Sequence, residues 1–128
     1  MNILLVEDDP GFAERLAKGL AQAGFDVERA TGADGYQVPL DAAYEGLVLD
    51  VGQRKSTQLD LLRSWRANGM VLPVLILLPH SSWADRIEAL NAGADDYMTK
   101  PALISALALR LVTLIAGTAQ APLQQNVG

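Results

Sequence analysis

The chain has 128 residues, a formal net charge of −5 and a sequence pI of about 4.6, and half of its residues are hydrophobic. It contains no cysteine, which excludes disulfides, thiolate metal sites and cysteine nucleophiles. The length is that of one domain, and an acidic surface repels phosphate backbones, so we do not expect this domain to bind nucleic acid by itself.

Short, continuous apolar runs recur along the chain and predict strands that are buried on both faces of a parallel sheet. The strongest runs lie at 2–6, 46–51 and 72–78, and weaker ones lie at 25–30 and 95–99. No run approaches the length of a membrane span, and no signal peptide is apparent.

Amphipathic stretches alternate with these strands and predict helices at 10–23, 33–44, 58–68, 82–92 and 102–116. Asp9 can cap the first helix, Pro10 suits its first turn and Gly24 ends it. The second helix is poor, because it contains a glycine and a proline. Five strands alternating with five helices predict a doubly wound α/β domain over residues 1–116, and the tail at 117–128 has linker composition.

Charged residues follow several of the predicted strands. Glu7, Asp8 and Asp9 follow the first strand, Asp50 ends the third, and Lys100 follows the fifth. Ligands in such a fold bind beyond the carboxyl ends of the strands, so we expect Glu7, Asp8 and Asp50 to form a cluster facing Lys100. Clustered carboxylates need a cation, for which Mg²⁺ is suitable, and a lysine can hold a phosphoryl oxygen. The pattern predicts a phosphoryl-accepting aspartate.

A simpler interpretation is equally open from the spacing alone. Asp50 and Lys100 would form only an ion pair, and residues 7–9 would be a solvated loop that ends in a helix cap. A doubly wound nucleotide-binding domain is disfavoured, because no glycine-rich phosphate loop follows the first strand.

Four motifs together resemble the receiver domain of two-component response regulators. They are NILLVEDDP at 2–10, LVLD at 47–50, LPVLILL at 72–78 and NAGADDYMTKP at 91–101. The likeness covers residues 1–116 in order and with matching spacing, and GADDYMTKP is especially close to the OmpR/PhoB-type subfamily. It implies a CheY-like, flavodoxin-like fold: a five-stranded parallel sheet of order 2-1-3-4-5 with five helices.

The resemblance also implies a role for each charged residue. Asp50 matches the phosphoacceptor, Glu7 and Asp8 match the acidic pair that holds Mg²⁺, and Gly52 matches the position whose carbonyl completes the metal site. Lys100 matches the lysine that contacts the phosphoryl group. Receivers of this family normally take the phosphoryl group from a histidine kinase and act as signalling domains, so we expect no enzyme.

The chain departs from the family pattern at the switch. The family ends its fourth strand with a Ser or Thr, whose hydroxyl binds a phosphoryl oxygen and lets an aromatic residue, here Tyr97, turn inward. That position is Leu78, which has no donor, and Pro79 stiffens the loop that follows. Ser81 or Ser82 would supply a hydroxyl, but we expect them to cap the next helix. This departure predicts an atypical receiver whose pocket is uncoupled from its output surface.

The loop after Asp50 departs as well. The family usually carries a proline four residues after the acceptor and a glycine eight after, where this chain has Arg54 and Gln58. Arg54 and Lys55 would substitute for a metal if they lean toward the acidic cluster. We favour the simpler interpretation from the sequence, which is an exposed loop.

The last predicted helix is apolar nearly all round, since Ser105, Arg110 and Thr113 are its only polar residues between 102 and 116. Such a helix must bury a second face, and an uncovered apolar face usually marks a partner site. We therefore predict a homodimer. The subfamily dimerises through the elements predicted at 82–92, 95–99 and 102–116.

Charged pairs that cross the two-fold axis in that subfamily are mostly lost here. Asp96 with Arg110 is kept, whereas Arg86 and Asp95 lack their expected partners. A simpler use of the two aspartates is to shape the turn before the fifth strand. We predict an interface held more by burial than by charge, formed by Arg86, Asp96, Leu107, Arg110 and Leu111.

These observations predict the regulatory domain of a cytoplasmic transcription regulator that dimerises with little or no dependence on phosphorylation. Residues 117–128 would lead toward a DNA-binding domain absent from this chain, and no membrane partner is expected. Two alternatives stay open. One is a conventional Mg²⁺-dependent receiver phosphorylated at Asp50 by a histidine kinase, and the other is a ligand-sensing pseudo-receiver that uses Arg54 and Lys55.

Overall fold

The apolar runs form a five-stranded sheet in the computed structural model, which describes residues 1–32, 44–80 and 82–125, the last eight of these as helix backbone. The strands are β1 (Asn2–Val6), β2 (Asp26–Ala30), β3 (Gly46–Asp50), β4 (Val74–Leu78) and β5 (Asp96–Thr99). The helices are α1 (Pro10–Gln22), α2 (Lys55–Ala67), α3 (Trp83–Ala92) and α4 (Ile104–Gln125). The helix predicted at 33–44 falls on residues 33–43, which lie outside the described part of the chain.

The sheet is parallel throughout and has the order β2-β1-β3-β4-β5, which confirms the predicted topology. The central strands β3 and β4 are buried along their whole length, because helices cover both faces of the sheet. On one face, α2 and α3 pack through Trp65 and Ala89. On the other face, α1 and α4 pack through Leu20 and Leu107. No described helix has the length and apolar character that a membrane span requires.

Local signals fix the ends of two helices. The Asp9 carboxylate accepts hydrogen bonds from the backbone amides of Gly11 and Phe12, at 3.0 and 3.3 Å, and Pro10 stands in the first turn of α1. Gly24 follows α1 with a φ of +101°, a conformation that favours glycine. The Ser82 hydroxyl accepts from the amide of Asp85 and caps α3, as predicted.

Two helices differ in length from the prediction. Helix α2 begins at Lys55, three residues before the predicted start at 58. Helix α4 continues to Gln125, although the pattern ended it at 116 and assigned linker composition beyond that residue. The predicted linker is therefore helical as far as Gln125. The assignment of 1–116 as the domain and 117–128 as a connection stays a prediction.

Candidate functional site

The carboxyl ends of the parallel strands meet at one edge of the sheet and enclose a cavity of about 480 Å³. Glu7 and Asp8 enter it from the end of β1, Asp50 from the end of β3 and Lys100 from the end of β5. The topology thus brings together the four charged residues that the sequence analysis selected. Gly52, the fifth predicted site residue, lines the same cavity.

Asp50 has a donor for each carboxylate oxygen. The Lys100 ammonium lies 2.7 Å from Oδ2, and the backbone amide of Gly52 donates to Oδ1 at 2.9 Å. Gly52 has a φ of +53°, in the left-handed region that glycine adopts most easily. Because Asp50 is only 2 % exposed, these contacts balance a charge that water hardly reaches.

Glu7 is buried, with 5 % of its surface exposed, so the interpretation of residues 7–9 as a solvated loop is wrong for this residue. Burial, followed by a hydrogen bond to Asp50, raises the pKa of Glu7 to about 8. The Glu7 carboxyl therefore holds its proton at neutral pH. Its Oε2 accepts from the backbone amide of Asp9 at 3.1 Å.

Asp8 is held by three contacts from two segments, the chain after β2 and the start of α2. The amide of Gly32 donates to Oδ1 at 2.7 Å, the guanidinium of Arg54 lies 2.8 Å from Oδ2, and the amide of Gln58 reaches the same Oδ2 at 3.4 Å. The expectation of an exposed loop is wrong for Arg54, because its guanidinium turns toward the acidic cluster. Lys55 points elsewhere: its ammonium pairs with Asp85 of α3 at 2.6 Å.

Gln58 is a site residue that the sequence analysis noted only as a departure from the family pattern. It is completely buried, and its side-chain amide also donates to the backbone carbonyl of Asp50 at 3.2 Å. A methyl group on Gly32 would overlap the Gln58 side chain, so the two residues are in close packing. The signal was present, because Gln58 stands on the same stripe of α2 as the buried Leu62 and Trp65.

The donors around the cavity are hard oxygens, which match the preference of Mg²⁺. Among the described residues, no group of three or more acidic or histidine side chains converges closely enough to hold a metal ion unaided. Oδ2 of Asp8 already accepts from Arg54 and Gln58, whereas Oδ1 accepts only from Gly32. The residue types fit the ion, but a metal bond to Oδ2 would require Arg54 to move aside.

The switch position contains no donor directed at the cavity. Leu78 is fully buried in the core, and its carbonyl accepts from the amide of Lys100 at 2.8 Å. Pro79 is the neighbour that lines the cavity, and none of the described lining residues carries a hydroxyl. Ser82 is engaged as a helix cap, and Ser81 lies outside the described residues. Tyr97 is half-buried, with the Arg86 guanidinium 5.4 Å from the centre of its ring.

The predicted interface needs one correction. Leu107 and Leu111 are 0 % and 1 % exposed and pack in the core under the sheet, so neither can contact a partner. Other apolar side chains are exposed on the two helices beside the edge strand β5. They are Trp83, Ile87 and Leu90 on α3, Leu103 just before α4, and Leu109 and Val112 on α4.

The charged residues near β5 are paired within the chain. Both carboxylate oxygens of Asp96 lie 2.9 Å from the same nitrogen of Arg110. Asp95 accepts from the backbone amide of Val74 at 2.8 Å and pairs with Arg66 at 3.1 Å. The use of Asp95 in shaping the approach to β5 therefore agrees with the simpler interpretation.

Comparison with known proteins gives related sequences. Transcriptional regulatory protein QseB of Haemophilus influenzae is 40 % identical over 116 residues, which cover 90 % of this chain and 52 % of that protein. Response regulator protein PmrA of Pseudomonas aeruginosa is 38 % identical over 128 residues, which cover 99 % of this chain and 58 % of that protein. The chain spans about half the length of these curated relatives.

A solved structure and a family model complete the comparison. The receiver domain of the Francisella response regulator 1452 superposes with a TM-score of 0.79 at 29 % identity, covering 91 % of this chain and 98 % of that one. The model of the response regulator receiver domain matches residues 3–112, a range that contains every charged residue of the cavity. The chain therefore belongs to the response regulator receiver domain family.

Proposed function

We propose that this domain is the regulatory part of a transcription regulator and that it self-associates with little or no dependence on phosphorylation of Asp50. The observation that carries the proposal is Leu78. A buried aliphatic side chain ends β4 where the family has a hydroxyl. This position therefore has no side-chain donor that could bind a phosphoryl group and couple the cavity to the output surface.

The energetic cost of the missing hydrogen bond supports this interpretation of Leu78. Leaving a phosphoryl oxygen without its hydrogen bond costs on the order of 1–3 kcal/mol, which is comparable to a typical allosteric coupling free energy. The backbone around Leu78 is also restrained. The next residue, Pro79, has a fixed φ, and the Leu78 carbonyl accepts a hydrogen bond from the backbone amide of Lys100. Phosphorylation of Asp50 would therefore shift the output surface little.

The exposed apolar residues on α3 and α4 support a homodimer. Leu109 is 67 % exposed and lies beside Asp96 and Arg110 in a groove of about 410 Å³. Apolar area that is uncovered before any modification favours association at all times. We expect the dimer to use the surfaces of α3, β5 and α4, including the predicted Arg86, Asp96 and Arg110.

The role in transcription rests on the relatives. One relative is named as a transcriptional regulatory protein, and the chain spans about half of its length. We propose that the remaining half of such a protein supplies DNA binding, that the segment from 117 leads toward it, and that the protein acts in the cytoplasm.

A second candidate function is a conventional receiver that accepts a phosphoryl group from a histidine kinase. The 2.7 Å contact between Lys100 and Asp50 favours it, since a lysine in this place can hold a phosphoryl oxygen. Glu7, Asp8, Asp50 and the carbonyl of Gly52 would hold Mg²⁺, which supplies neutralisation of the developing phosphoryl charge.

Sedimentation velocity separates the two functions. Wild type, Asp50→Ala and Leu78→Thr are each compared in EDTA and in Mg²⁺ with acetyl phosphate, with mass spectrometry to measure phosphorylation of Asp50. We expect wild type and Asp50→Ala to associate equally under all conditions, and Leu78→Thr to gain a response. A wild-type protein that stays monomeric until it is phosphorylated would establish the conventional function instead.

A further inference from the structure

Two departures from the family pattern converge on one atom. Arg54 and Gln58 stand where the family has a proline and a glycine, and both direct a nitrogen at Oδ2 of Asp8, at 2.8 and 3.4 Å. Neither the usual proline nor the usual glycine has a side-chain donor, so this contact pattern is particular to the present loop.

The contacts place a cation of the chain itself against two of the cavity's carboxylates. Lys100 lies against Asp50, and Arg54 lies against Asp8. The two cations come from the ends of different elements, β5 and α2, so they approach the acidic cluster from separate directions. The Arg54 side chain is 38 % exposed, which leaves it able to move out into water.

We infer that Arg54 is the resident cation of the acidic cavity and that a divalent cation binds there only by displacing its guanidinium from Asp8. This inference rests on the proposed function for the identity of the cavity as the cation site of a receiver. It does not depend on whether the domain dimerises.

The physical argument is one of charge and of ligand number. A divalent cation at Asp8 would stand within a few ångströms of the guanidinium, and like charges at that distance repel strongly where water is partly excluded. Oδ2 of Asp8 also already accepts two hydrogen bonds, from Arg54 and Gln58, whereas Oδ1 accepts one, from Gly32. A cation that binds Oδ2 must therefore break the Arg54 contact, and the free energy of that contact is subtracted from the affinity for the cation.

The test is a Mg²⁺ titration of wild type, Arg54→Met and Arg54→Lys by isothermal calorimetry, with Mn²⁺ broadening of amide resonances to locate the ion. Methionine keeps the length of the side chain and removes its charge and donors. Lys55→Met is the matched control, because Lys55 is the adjacent cation but pairs with Asp85 of α3. Circular dichroism melts establish that each variant is folded.

We expect Arg54→Met to bind Mg²⁺ about tenfold more tightly than wild type, with broadening near Asp8 and Asp50, while Lys55→Met keeps the wild-type affinity. Arg54→Lys keeps a positive charge and should stay close to wild type. Equal affinity in Arg54→Met and wild type, or the same gain in Lys55→Met, would overturn the inference. These titrations report cation binding alone, so their failure is distinct from a failure of the sedimentation experiment.

Discussion

The cavity at the strand ends and the surface around β5 differ in how far contacts within the chain satisfy their side chains. In the cavity, contacts from within the chain hold the two carboxylates, with Asp8 against Arg54 and Asp50 against Lys100. On α3 and α4, apolar side chains such as Trp83 remain largely uncovered. An added ion stabilises a cavity little when its charges are already paired. A partner that covers an exposed apolar surface contributes more stabilisation. The comparison favours the β5 side over the cavity as the surface on which the proposed partner copy would bind.

The largest expected effect comes from removing the cation that pairs with Asp50. Lys100→Met removes the cation from a carboxylate that is 2 % exposed, and we expect the free energy of unfolding to fall by about 3 kcal/mol. Urea unfolding at pH 7 in EDTA measures the loss. The same substitution in an Asp50→Asn background is the control, where the loss should be much smaller. Equal losses in both backgrounds would show that Lys100 stabilises the fold without Asp50.

An effect of similar size concerns protonation. Because the pKa of Glu7 is raised from 4.5 to about 8, the folded state holds a proton that the unfolded state releases. The resulting stability is fully present below about pH 4.5 and is lost as the pH rises through about 8. We expect Glu7→Gln, which stays uncharged, to gain on the order of 2–4 kcal/mol over wild type between those limits.

Urea titrations in EDTA at pH values from 5 to 9 measure this difference. Parallel stability curves for the wild type and Glu7→Gln would contradict a protonated Glu7, whereas divergence toward alkaline pH supports it. Asp9→Asn is the control, because Asp9 is exposed and lies two residues from Glu7.

The smallest expected effect on stability concerns the exposed apolar surface around β5. Leu109→Ala, at a residue that is 67 % exposed, should change the free energy of unfolding by less than about 0.5 kcal/mol while weakening self-association. Leu107→Ala is its counterpart in the same helix and should cost about 3 kcal/mol, because Leu107 is fully buried. Chemical denaturation and sedimentation at matched concentrations measure both. Unchanged association in Leu109→Ala would exclude this residue from the dimer contact.

The strands and the position of the acidic edge were predictable because they rest on local patterns. Continuous apolar runs are typical of strands covered on both faces, and parallel pairing then places Asp50 and Lys100 at the same edge. The cap at Asp9 was predictable for the same reason, since its partners are two and three residues away.

Contacts of long sequence separation were not predictable in this way. Arg54 meets Asp8 across 46 residues, and nothing in the polar run at 52–57 indicates the direction of its side chain. Because this run has the composition of a loop, the predicted start of α2 lies three residues too late. In α4, nearly uniform apolar composition gives no periodicity, so the sequence could not distinguish buried Leu107 and Leu111 from exposed Leu109.

The close packing of Gly32 against Gln58 has a consequence for how this chain tolerates substitution. A Cβ at residue 32 would overlap the end of the Gln58 side chain, so the glutamine would have to move away from its contacts with Asp8 and the Asp50 carbonyl. Shortening the glutamine alone would leave a void beside Gly32. The cost of a larger residue 32 should therefore fall when residue 58 is shortened, which a library of double replacements would reveal and a deep mutational scan of single replacements would miss.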